Sequence, residues 1–214
     1  GGYGNACYQW QYARQFTIYN DVVYIADTYG RKVKSLTLTG QCKDIWFTGQ
    51  YPHAIAANNN YVFVGHPSNN ISILDHRLNQ RTTRSINSNY LSYSWGMSIN
   101  PAGNRLAIAD YNKNHVVEFS ISGDWLTYTQ KTSSTYSSGN GYFQRPTDTG
   151  YDSSGNIYVS DLYGHRVQKF NSSLSYQGKV GSYSTSSGFR YPYGMHVDSN
   201  DKVYATDFYN YAVR

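Results

Sequence analysis

Apolar and polar residues alternate with a period of two along most of the chain, in short runs separated by clusters of Gly, Asn, Asp and Ser. This is a pattern of strands and turns. Five stretches read as a strand, a tight turn and a second strand: VYIADTYGRKV, YVFVGHPSNNI, LAIADYNKNHV, IYVSDLYGHRV and VYATDFYNYAV. The first strand of each ends at Asp27, Gly65, Asp110, Asp161 or Asp207, and six positions on stands Val33, Ile71, Val116, Val167 or Val213. The intervals between the closing residues are 38, 45, 51 and 46. Self-similarity at that period is the mark of a β-propeller.

A second register lies upstream. PHAIAAN, SWGMSIN, PTDTGYD and PYGMHVD each end in an Asx residue (Asn58, Asn100, Asp152, Asp198), and RQFTIYN ends at Asn20. Hairpin signals such as NPAGN and DSSGN follow. These segments predict an innermost strand. CKDIWFTG, TTRSINS, WLTYTQK and YQGKVGS, after the third strand, predict an outer fourth. The expectation is an all-β propeller with four-stranded blades.

The stretch FQRPTDTGYDSSGNIYVSDLYGHRVQKF, from Phe143 to Phe170, resembles the NHL-repeat β-propeller family. FRYPYGMHVDSNDKVYATDFYNYAVR and Tyr19 to Leu36 match less closely, and the resemblance extends over almost all of residues 1–214, read as a single NHL-like domain. Gly65 stands where the family has Asp, and Asp148 where Gly is usual. The N-terminal piece GNACYQWQY is similar to the outer-strand piece GQCKDIWF. It therefore predicts five blades, the last closed by a strand from the N-terminus. The family is usually six-bladed, which is the expectation if the sequence is incomplete.

Composition narrows the function. Tyr accounts for 24 of 214 residues and aromatics for 17%, whereas charged residues make up only 14%, against roughly 25% in an ordinary soluble domain. The net charge of +5 comes from scattered Lys and Arg, which weighs against nucleic acid as a partner. No run approaches the ~20 apolar residues of a membrane span. If Cys7 and Cys42 lie on outer strands of neighbouring blades, they are too far apart for a disulfide; if the N-terminus wraps over a neighbouring blade, a bridge can form. Sequons at Asn70 and Asn171 are no more than so much Asn, Ser and Thr supplies by chance.

Copies of one residue across blades point to architecture, because a catalytic site needs unequal groups. Asp27, Asp110, Asp161 and Asp207 therefore read as turn-capping carboxylates. Resemblance to propeller lyases and calcium-dependent lactonases raises a channel metal, with His53 and His196 on inner strands. The equivalents of His196 are Ala56, Ser98 and Gly150, a set poor in ligands. No cofactor motif, nucleophile elbow or metal-binding spacing is present. The sequence thus assigns no catalytic residue, metal or cofactor.

In a propeller, the turn between strands two and three opens on the same face as the connection to the next blade. That face would collect Tyr29, Tyr163 and Tyr209 from the turns. From the connections it would collect Tyr51, Trp95, Tyr142, Arg145, Tyr183, Arg190 and Tyr191. Such Tyr, Ser, Gly and Asn mixtures resemble antibody paratopes. The sequence therefore predicts a non-enzymatic, extracellular or secreted recognition or assembly module that binds glycan or protein or associates with itself. The alternatives are a propeller lyase or hydrolase with a channel metal and, by resemblance, an RNA-binding NHL domain.

Overall fold

The computed structural model describes residues 7–214. Five antiparallel sheets follow one another along the chain. Blade I comprises β1 (Ala13–Tyr19), β2 (Val22–Asp27), β3 (Lys32–Thr37) and β4 (Cys42–Phe47); blade II comprises β5 (Ala54–Ala57), β6 (Val62–Gly65), β7 (Asn70–Leu74) and β8 (Gln80–Ser85). Blade III holds β9 (Ser94–Ile99), β10 (Arg105–Asp110), β11 (His115–Ser122) and β12 (Trp125–Lys131). Blade IV holds β13 (Pro146–Tyr151), β14 (Ile157–Asp161), β15 (Arg166–Phe170) and β16 (Tyr176–Val180). Blade V has β17 (Pro192–Val197), β18 (Val203–Asp207) and the short β19 (Ala212–Val213). The result is a five-bladed β-propeller whose first four blades have the predicted four strands in simple up-and-down order.

Alternation gives each sheet two faces, and successive blades from I to V pack face to face. Ala26 and Val33 of blade I pack on Ile55, Val62 and Val64 of blade II. Phe63 and Ile73 of blade II meet Leu106, Ile108 and Phe119 of blade III, and Ala107 and Val116 meet Ile157 and Val159 of blade IV. A smaller cluster, Val167 with Phe189 and Ala205, joins blade IV to blade V. The core is therefore a set of apolar clusters between successive blades.

The N-terminal closure needs correcting. Among the described residues no N-terminal strand pairs with β19, and the fifth sheet has three strands. The segment before β1 runs over blade I instead: Cys7 forms a disulfide with Cys42 (Cα–Cα 5.9 Å), and the Cys42 N–H donates to the Tyr8 hydroxyl (3.2 Å). Residues 1–6, part of the proposed closing strand, lie outside the described residues.

The repeated Asp clamps the chain as it enters each blade. The N–H groups of Gln11, Ser92, Gln144 and Arg190 donate to Asp27, Asp110, Asp161 and Asp207 at 2.6–2.7 Å. In these four blades a register shift opens the inner strand beside the Asp. Blade II has Gly65 at that place and an inner strand in regular register. At the opposite end, Asn58, Asn100, Asp152 and Asp198 accept N–H bonds from the turns that follow. Asn20 departs from that set: with Asp21 it forms a two-residue hairpin turn at φ 47° and 59°.

Candidate functional site

The turns between the second and third strands and the connections between blades lie together at one end of the channel. Carboxylate clamps hold the connections there, and left-handed residues shape them. Tyr12, Arg145 and Tyr191, each immediately before an inner strand, have φ of 73°, 65° and 63°. Seven of the ten sequence-predicted residues join two groups of rings on this face, bridged by Arg14, which lies over Tyr12 and over Trp95. Tyr29 lies between Tyr12 (5.2 Å between centroids) and Tyr51 (6.2 Å). Across the mouth, Trp95 stacks on Tyr111 at 4.1 Å. Tyr191 meets Tyr163 at 5.6 Å and Tyr209 at 5.1 Å, and His165 links Tyr191 to Tyr183. Tyr29 and Tyr183 stay 63% and 59% exposed, so the network is a surface rather than a core.

Arginines lie on these rings: Arg145 over Tyr111 at 4.8 Å and Arg190 over Tyr209 at 5.3 Å. Arg31 lies over Tyr51 at 4.6 Å and donates to its hydroxyl at 2.8 Å. Tyr142 stands apart. It is exposed, and its carbonyl accepts bonds from Arg166 and Gln168 at 2.9 and 2.7 Å. Trp95, which the sequence places in a connection, is the second residue of β9 and half-buried.

The sequence reading named Trp95 and His53 but missed their partners at the centre of this face, Arg14 and Tyr193. The second residues of β1, β9, β13 and β17 are Arg14, Trp95, Thr147 and Tyr193, and His53 immediately precedes β5. The Arg14 guanidinium lies 3.7 Å from the Trp95 ring centre. It donates to the Tyr193 hydroxyl through Nε and Nη2 and faces His53 Nδ1 at 3.1 Å through Nη1. Burial, reinforced by Arg14, pushes the His53 pKa down to about 3, so the imidazole accepts as a neutral base. The Tyr193 pKa is raised, chiefly by burial, and that of Tyr111 is pushed up to about 12 by burial and a hydrogen bond to Tyr163. The phenols of the mouth are therefore uncharged hydrogen-bonding groups.

Below the mouth, the channel forms a cavity of about 800 Å³ lined by all five inner strands. Two side chains cross it. Gln15 donates through Nε2 to Met97 O (3.2 Å) and Asp148 Oδ1 (2.8 Å), and its Oε1 accepts from Ile55 N–H (2.7 Å). Asp148 Oδ2 accepts from Met195 N–H at 3.0 Å. This knot joins blades I to V, and burial raises the Asp148 pKa to about 7 despite those bonds. Among the described residues no three His, Cys, Asp or Glu side chains are grouped to hold a metal ion; His196 is exposed on the channel wall.

Residues 143–170 match the family model of the NHL repeat, spanning the entry to blade IV and β13 to β15. The molecule is thus a five-bladed β-propeller carrying an NHL repeat. Among curated proteins none matches the sequence. Among solved structures, a chain in a crystal structure of a nidogen/laminin complex superposes with a TM-score of 0.71 at 16% identity, over 91% of this chain and 70% of that one. Virginiamycin B lyase from Staphylococcus aureus superposes with a TM-score of 0.68 at 13% identity, over 95% of this chain and 66% of the lyase. The inactive H270A form of that lyase with quinupristin gives 0.69 at 14% identity, over 94% of this chain and 68% of that one. Identities this low establish the fold. No helix among the described residues is long and apolar enough to cross a membrane.

Proposed function

We propose that the protein is a non-enzymatic recognition or assembly module that engages a protein partner through its aromatic face, in an extracellular setting. The observation that carries this reading is the connected layer of half-exposed tyrosines with arginines seated on the rings. Rigid Tyr, Trp and Arg supply much of the binding energy of protein interfaces. A neighbour in fold that comes from a nidogen/laminin complex supports a protein partner, and the Cys7–Cys42 bridge fits an oxidising compartment. Glycan is the second ligand class, favoured by exposed Tyr rings beside Ser- and Asn-rich loops.

Tyr163 and Tyr209 are 43% and 47% exposed, so changing both to Ala should move the melting temperature little, as surface substitutions usually do. The same pair should lose about tenfold or more in affinity. Binding would be measured against immobilised extracellular-matrix proteins, a glycan array and the chain itself in sedimentation. Equal affinity of the pair variant and the parent on every one of these surfaces would remove the face from the function.

A further inference from the structure

Four arginines elsewhere in the molecule are paired with carboxylates: Arg84 with Asp124, Arg105 with Glu118, Arg166 with Asp161 and Arg214 with Asp207, at 2.6–3.4 Å. Arg14 has no such partner among the described residues. Its N–H groups meet the phenol oxygens of Tyr193 and Tyr93 and one imidazole. The acids closest to the face in sequence, Asp27, Asp110, Asp161 and Asp207, are fully buried and already take backbone N–H donors. A second donor is stranded at the same place. The buried indole N–H of Trp95 makes no bond of full hydrogen-bond geometry, and the weak bond it does make goes to the Tyr193 hydroxyl, which Arg14 already uses. A buried donor without a well-aligned acceptor is costly, and a planar cation between aromatic walls presents a fork matched to two oxygens.

We propose that the channel mouth is a carboxylate-binding site, in which the Arg14 guanidinium and the Trp95 N–H receive the side chain of an Asp or Glu from the partner. This deepens the protein-binding reading and rests on it. A single carboxylate on a peptide fits better than a polysulfated glycan or nucleic acid. Only one arginine reaches the mouth, while Arg31, Arg145 and Arg190 are spread over the rim, each on its own tyrosine. A polyanion calls for cations in a row. Aromatic walls around one guanidinium instead make a shielded point contact, where a charge-assisted bond gains most.

The test is a titration of the full chain, followed by the Trp95 indole N–H resonance, with an acetylated and amidated peptide Ser-Gly-Asp-Gly-Ser. Its Asn counterpart and a sulfated disaccharide serve as rival probes. The Asp peptide should shift that resonance saturably, and the Asn peptide should bind about tenfold more weakly, the value of one charge-assisted hydrogen bond. Arg14→Met should abolish the shift. Tyr193→Phe, which removes one oxygen now holding the guanidinium, should keep or tighten binding; if Arg14→Met does not fold, this variant carries the test. Equal binding of Asp and Asn peptides, parent-like binding by Arg14→Met, or lost binding by Tyr193→Phe overturns the proposal. So does saturation by the sulfated disaccharide at lower concentration. If the Asp peptide fails while Tyr163→Ala/Tyr209→Ala still loses its partner, the anchor falls and the face stands.

Discussion

Asp148 shows how one side chain can make the structure answer to pH. It is 6% exposed, and burial outweighs its N–H donors to raise its pKa to about 7. A carboxyl whose folded pKa exceeds its unfolded value stabilises the fold fully below about pH 4, and that contribution is lost as pH rises through about 7. The span corresponds to about 4 kcal/mol at 1.36 kcal/mol per unit. Two histidines act in the opposite sense. Burial lowers His53 to about 3 and His66 to about 4, so their contribution is present above about pH 6.5 and lost on acidification. Asp148→Asn should therefore steepen the rise of stability from pH 4 to 7, because the opposing slope disappears. Urea unfolding of parent and variant across this range measures it, and parallel pH profiles would show that Asp148 titrates normally.

Blades obey the repeat, and their exceptions have local causes. Gly65 breaks the Asp pattern because blade II leaves no space. A Cβ there would lie 2.5 Å from Ser94 Cβ and 2.6 Å from Met97 Cε. Gly65→Ala should thus cost about 1–3 kcal/mol by overpacking, and Gly65→Asp, although it restores the repeat, should cost more. A raised thermal midpoint for either would contradict this packing. Most strands could be read from the period-two alternation and the six-residue offset, since each signal lies within a single hairpin. Arg14 and Tyr193 at the mouth could not. Aligning Asn20 with the other Asx residues slips blade I by one position, which sets Arg14 level with Pro146 although its structural counterparts are Thr147, Trp95 and Tyr193. Counting back from the clamped Asp does not find it either, because that distance differs between blades; strand pairing aligns them, Ala13 with Asp27 as Pro146 with Asp161.

At the scale of the whole molecule, the tyrosines were legible as a face because turn position alone assigns them to one end. Gln15 and Asp148 were not, because their meaning lies in partners up to 133 residues apart. The disulfide belongs to this scale too. It ties the segment before β1 to the outer strand of blade I across a separation of 35 residues, and such a link contributes about 2–4 kcal/mol. Cys7→Ser with Cys42→Ser should lower the unfolding free energy by that amount and the urea midpoint with it, with the far-UV spectrum of strands retained. An unchanged midpoint would make the bridge incidental. The knot in the channel has a temporal consequence. A growing chain makes Gln15 long before Met97 and Asp148 exist, and Asp148 before Met195. The layers between neighbouring blades can therefore settle in order of synthesis, whereas the hub is finished only when the last inner strand arrives.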